Sequence, residues 1–199
     1  MYPAVVPVNH QIADMPDLAD LKENERPRAP KIEGLSEAQR ALGRRLSMIH
    51  AMHLRDIAQL RTLVDRIDQD RAAAGKLSEA LEGLDMTRNL RTFGVLCGRE
   101  CNNLLFHHGA EEHHVFPALE EQADAPLAAV LAKLRQEHEV IHALLEALHA
   151  GASAIYDSPD DATYAALRDT FGQLEAALKS HFGYEETELE DVLGLTGIL

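Results

Sequence analysis

The chain has 199 residues, with 33 Asp and Glu against 19 Lys and Arg, for a formal charge of −14 with histidine neutral. That balance argues against a nucleic-acid ligand, which needs concentrated Lys and Arg, and no apolar run approaches the roughly 18 residues of a membrane span. Two cysteines cannot build a disulfide framework, and Met1 to Pro7 has neither a basic n-region nor a long apolar h-region, so a reducing, cytoplasmic setting is expected. The unusual number is eleven histidines.

Residues 1–34 hold five of the eight prolines and a charged stretch, Lys22-Glu23-Asn24-Glu25-Arg26. They read as an N-terminal extension, either draped on the domain or loose. Residues 35–195 read as the domain proper. It is rich in Leu and Ala and poor in aromatics, which favours helices.

The first helix is expected to start at Ser36, where Ser36-x-x-Gln39 is a capping box. Its inner stripe runs 46, 50, 53, 57, 60, 64 and 67, the spacing of a helix packed lengthwise in a bundle. Gly75 is expected to close it, and 76–86 to form a polar connection.

The second helix is expected over about 87–121, with inner positions 90, 94, 97, 101, 104, 108, 111 and 115. Pro117 deprives the carbonyl of His113 of its donor, so a kink or an early end is expected there. Asp124 caps a third helix running to about Ala150, with inner positions 127, 131, 134, 138, 141, 145 and 148. Ser158-Pro159-Asp160-Asp161 is the expected start of a fourth, with inner positions 167, 171, 174, 178, 181, 185, 189 and 192. Four such helices with mostly short connections imply an all-α, up-down-up-down four-helix bundle.

Polar pairs four residues apart interrupt these apolar stripes. The second helix offers His107 and Glu111, the third His138 and His142, the fourth His181 and Glu185. The first offers His50 or His53. Residues at this spacing are neighbours one turn along the same face. Counted from the first helix–helix turn, His50 and His107 both lie about 20 residues up, roughly 30 Å, and the other pairs fall near the same level. Burying these groups unpartnered would cost several kcal/mol each, whereas a metal cluster pairs them all. Two segments, His107-His108-Gly109-Ala110-Glu111-Glu112 and His181-Phe182-Gly183-Tyr184-Glu185-Glu186, share the form His-x-Gly-x-Glu-Glu. A glycine inside each pair suggests close approach of a neighbouring helix or of the cluster.

Five imidazoles and two carboxylates exceed what one zinc needs. Nitrogen and carboxylate oxygen without thiolate suit iron or manganese in a dinuclear centre. The two carboxylates would bridge, and one coordination position would stay open to a small ligand. His107 is preferred to His108, whose rival pairing would be with Glu112, and His50 to His53. His113 and His114 are expected at the surface or rim, and His10 and His149 in solvent. Cys97 and Cys101, four apart, read as small buried hydrophobes or a redox-responsive pair. Glu111-x-x-His114 and Glu139-x-x-His142 also fit ferritin-like sites, but such sites need ligand glutamates that the first helix lacks between 46 and 60.

These motifs, in this order, resemble the haemerythrin-like, or HHE cation-binding, proteins. The resemblance rests on His50 with Arg55-Asp56, His107-His108-x-x-Glu111-Glu112-x-x-Val115-Phe116-Pro117, Glu137-His138-x-x-x-His142 and His181-x-x-x-Glu185-Glu186, and it covers about 36–193. It implies a non-haem centre of two iron ions with an oxo or hydroxo bridge. His138, His142 and His181 would hold one iron, and His50 and His107 the other, with the open position. Glu111 and Glu185 would bridge. Invertebrate oxygen carriers of the family place an Asp five residues after the last histidine. Here Glu185 stands at four and Glu186 at five, and the heptad register favours Glu185. The implied function is binding of dioxygen or a related small ligand for sensing, storage or carriage. The alternatives are a di-iron oxidoreductase acting on peroxide or nitric oxide, and iron storage.

Overall fold

In the computed structural model the described residues are 18–74, 99–157 and 160–198. Among them the chain is all-helical, without a strand. Two 3-10 turns, Leu18–Leu21 and Glu23–Glu25, precede α1 (Glu37–Gly43) and α2 (Arg45–Ala74). Then come α3 (Arg99–Ala110), a π turn (Glu111–Val115), α4 (Phe116–Glu120), α5 (Ala125–Asp157) and α6 (Asp161–Thr196). No described helix is long and apolar enough to cross a membrane. The expected closure at Gly75, the connection 76–86, the start of the second helix, Cys97, Ser158 and Pro159 lie outside the described residues, as does the side chain of Cys101.

The apolar stripes are where the periodicity puts them. On α5 the positions 127, 131, 134, 138, 141, 145 and 148 are all buried, and on α6 so are 167, 171, 174, 178, 181, 185, 189 and 192. The core falls into two clusters. One, around Leu60, Ile141, Leu144, Phe171 and Leu178, lies towards the end where Tyr164 donates its hydroxyl to the Val64 carbonyl at 2.6 Å. The other, around Leu46, Phe116, Leu131, Leu134, Leu189 and Leu193, lies at the opposite end. The polar residues of the stripes fall between the two.

Helix ends follow the capping chemistry, with differences. Ser36 and Gln39 form the expected capping box, the Ser36 hydroxyl accepting from the Gln39 N–H at 3.3 Å. Asp124 accepts from the Leu127 N–H at 2.9 Å. The fourth helix, expected to start within Ser158-Pro159-Asp160-Asp161, is capped by Asp160. Asp160 accepts from the Thr163 N–H at 2.8 Å, and the Thr163 hydroxyl accepts from the Asp160 N–H at 3.2 Å. Reciprocal satisfaction of two orphan donors favours that register. The third helix runs to Asp157 instead of stopping near Ala150.

The first helix is broken at Arg44. The break lies where α1 crosses the end of α6: a Cβ added at Gly43 would fall on the backbone carbonyl of Glu190, and one at Gly194 on that of Gln39. Two glycines let the backbones approach. By contrast, a Cβ at Gly109 or Gly183 would meet nothing within 4 Å among the described residues, so the glycines of the His-x-Gly-x-Glu-Glu segments do not mark a close approach.

Residues 18–34 are draped on the helices. Leu21 is fully buried in the first cluster, worth about 1.5–3 kcal/mol by transfer. The buried Lys133 ammonium donates to the Leu21 carbonyl at 2.7 Å. Glu188 accepts from the Ala29 N–H at 2.7 Å and Asp191 from the Ile32 N–H at 3.1 Å.

Candidate metal centre

Four helical stretches bring histidines and glutamates to one level. The local backbone of one of them departs from the α form there. Pro117 has no N–H to offer the carbonyl of His113, and the chain answers with a wider turn: the Phe116 N–H bonds the Glu111 carbonyl, five residues back. The helix neither ends nor breaks at the proline. π turns of this kind recur at functional sites, and this one starts on Glu111.

Two groups of donor atoms converge, each within 4.8 Å: His108, His138 and His181 in one, and His50, His107, Glu111 and Glu185 in the other. The Nε2 atoms of His50 and His107 are 3.2 Å apart. Glu111 presents Oε1 to His107 Nε2 at 3.2 Å and Oε2 to His138 Nε2 at 3.5 Å. Glu185 Oε2 lies 3.3 Å from His50 Nε2 and 3.8 Å from His181 Nε2. Each carboxylate therefore faces both groups.

The outward sides of the rings are held. His50 Nδ1 donates to Glu186 at 2.9 Å, His138 Nδ1 to Glu112 at 2.8 Å, and His181 Nδ1 to Glu137 at 3.1 Å. A carboxylate on Nδ1 fixes the tautomer and turns the Nε2 lone pair inward. Glu112 is held in turn by Arg135 at 2.9 Å. His108 Nδ1 meets His142 Nε2 at 3.0 Å, and the His108 and His138 rings stack with centroids 4.0 Å apart.

Inward, the same residues lack partners. His108 Nε2, His138 Nε2, His181 Nε2 and both oxygens of Glu111 and of Glu185 are buried without a hydrogen bond. Seven such atoms facing one space are costly unless something joins them. Nitrogen lone pairs and carboxylate oxygens are acceptors alike, so the missing partner is a cation. The residues present thus fit a metal cluster.

The electrostatics agree. Burial pushes the His107 imidazole down to about 3 and His138 to about 2, with His108 well below its usual value. All three are neutral, as a ligand must be. Burial and then the Glu185 charge push Glu111 well above the carboxylate range. Burial works to raise Glu185 too, but His50 and then His181 outweigh it and hold it low. Glu137 is also below its usual range, because His181 and Arg26 overcome its burial.

Of the seven residues expected as ligands, six have atoms in the two groups: His50, His107, Glu111, His138, His181 and Glu185. The seventh, His142, is half-buried and stands behind His108, which takes a place in the three-histidine group. Both adjacent histidines of the second helix are buried, one in each group. His53 stacks on His107 with centroids 4.9 Å apart, and burial lowers its pKa. Glu186 meets His50, while the Tyr184 hydroxyl points away, to the Pro27 carbonyl at 2.9 Å. His113 and His114 are exposed, as expected; His149 is partly buried, not solvated. Of the carboxylates behind the rings, Glu186 is signalled in the sequence by flanking Glu185, whereas Glu112 and Glu137 give no such signal of their own, although each adjoins an expected ligand.

A buried cluster of inward-facing imidazoles and carboxylates on packed helices defines a metal-binding helical protein. The sequence profile of the hemerythrin HHE cation binding domain matches residues 41–193. The chain belongs to that family and binds metal cations through its histidine and glutamate cluster. Searches of curated proteins and of solved structures returned no significant match.

Proposed function

We propose that the chain is a non-haem di-iron protein that binds dioxygen or a related small ligand, for sensing, storage or carriage in a reducing, cytoplasmic setting. On this reading the long helices alternate up and down around the centre. His108, His138 and His181 hold one iron, His50 and His107 the other, and Glu111 and Glu185 bridge them. The observation that carries the reading is the set of seven buried acceptor atoms without partners, aimed at one space from both sides. Bound iron would supply redox chemistry and an open position for the ligand. The chain supplies buried imidazoles whose outward nitrogens are held by carboxylates. The iron that His50 and His107 would hold has fewer protein donors and would be the one to take the ligand.

A second reading, an oxidoreductase acting on peroxide or nitric oxide, is favoured by His53. This half-buried imidazole stacks on His107, beside the iron that His50 and His107 would hold, where a proton could be held for the reacting ligand. Metal analysis and rapid mixing decide. Two irons per chain and an azide-sensitive charge-transfer band are expected. A single zinc per chain overturns the di-iron reading. A reversible adduct with oxygen supports the binding function, and repeated turnover with peroxide supports the enzyme.

A further inference from the structure

The N-terminal extension reaches the metal pocket without entering it. Arg26 grips Glu137 with two parallel bonds, Nε to Oε1 at 2.8 Å and Nη2 to Oε2 at 2.9 Å. Its third nitrogen, Nη1, donates to Ser180 Oγ at 3.0 Å, beside His181 in the chain. The Glu137 oxygen that receives Nη2 also receives the Nδ1–H of His181, at 3.1 Å. Arg26 is itself fixed, its guanidinium lying 4.7 Å over the Tyr184 ring.

The three carboxylates behind the rings differ in exposure. The side chains of Glu186 and Glu112 are 33% and 25% exposed, that of Glu137 only 1%. Water can orient the first two. Glu137 depends on protein partners for its orientation, and the one that grips both its oxygens comes from a segment 111 residues away.

We propose that the extension is a strap that sets His181: Arg26 is a positioning residue, acting through Glu137 on the orientation and donor strength of that imidazole toward the metal. The proposal rests on the di-iron reading for its consequence, though not for its geometry. A carboxylate on Nδ1 raises the basicity of a ligand histidine, and a bidentate arginine fixes how that carboxylate lies. Without the fork, Glu137 loses its fixed direction and its bond to His181 weakens.

The test is a double-mutant cycle read on His181. Histidine nitrogen-15 NMR of the full-length chain, without added metal, follows the ring's Nδ1–H. Arg26→Gln and Glu137→Gln are each expected to move that signal upfield. The double variant moves it no further than Glu137→Gln alone, since Arg26 acts only through that carboxylate. Arg26→Lys, with one point charge in place of the fork, gives an intermediate shift. Lys31→Ala, which loosens the extension at the Thr187 carbonyl instead, leaves the signal in place. In iron-loaded protein, Arg26→Gln and Glu137→Gln both raise the reduction potential. An unmoved His181 signal in Arg26→Gln, or additive shifts in the double variant, overturns the strap. A chain that takes up no iron overturns the di-iron reading, while the NMR arm still decides the strap.

Discussion

The carboxylates of Glu111 and Glu185 approach each other inside the bundle and divide their charge unequally: Glu111 is held neutral while Glu185 stays ionised. Both are buried and neither has a hydrogen-bond partner for its oxygens. Two like charges cannot share that space without a cation between them.

Metal must therefore displace the proton on Glu111. Calorimetric titration of the metal-free chain with iron(II) at pH 7, in buffers of differing ionisation enthalpy, should show release of about one proton per chain. His107, His108 and His138 are already neutral and contribute none. Glu111→Gln should abolish the release. Metal uptake by the parent without proton release would refute the assignment.

The metal-free chain should also lose stability in acid. His107 and His138 have folded pKa values near 3 and 2, against about 6.5 unfolded. Between those limits the unfolded chain binds more protons, so stability falls as pH falls. Loss should begin near pH 6.5 and continue to about pH 2. Glu111, raised by folding, acts in the opposite sense: its contribution is complete below the unfolded carboxylate pKa and is lost as pH rises through its raised value. Urea midpoints measured from pH 8 down to pH 4 check this. His107→Phe, which removes one titrating imidazole, should flatten the curve, and an unchanged slope would contradict the burial argument.

Much of this molecule is legible in one dimension. The stripes on α5 and α6 can be read from spacing because a helix facing a core repeats every three or four residues. The ligand level follows from rise per residue. What escapes reading is whatever lacks a period. The break at Arg44 follows from a crossing between Gly43 and Gly194, residues 151 positions apart, which neither sequence neighbourhood signals. The proline at 117 announces a disturbance but not its form, and a π turn shifts register where a kink would change direction. Adjacent histidines point about 100° apart on a helix, so His107 and His108 read as rivals. A pocket with two groups of donor atoms lets both face inward. The grip of Arg26 on Glu137 pairs residues with no shared element at all.

The glycines give a paired stability test. Gly43→Ala puts a methyl onto the Glu190 backbone, and forcing the helices apart should cost about 1–3 kcal/mol. Gly183→Ala, mid-helix and open, should stabilise by up to about 1 kcal/mol. Thermal melts of the two variants should move in opposite directions. A Gly183→Ala chain that melts lower would mean that the position packs against something.

The sharpest question about the site is which histidine completes the three-histidine group. His108 has a buried Nε2 without a partner, in reach of His138 and His181, while His142 bonds His108 from behind. On the di-iron reading, His108→Ala should cost one of the two metals outright. His142→Ala should keep both, with affinity weaker by about 10–100-fold, the usual effect of losing a residue that orients a ligand. Iron content after gel filtration, followed by competition with a chelator, separates the two. If His142→Ala loses a metal and His108→Ala does not, the histidines exchange roles. The third helix would then supply two ligands one turn apart, as its His-x-x-x-His spacing alone suggests.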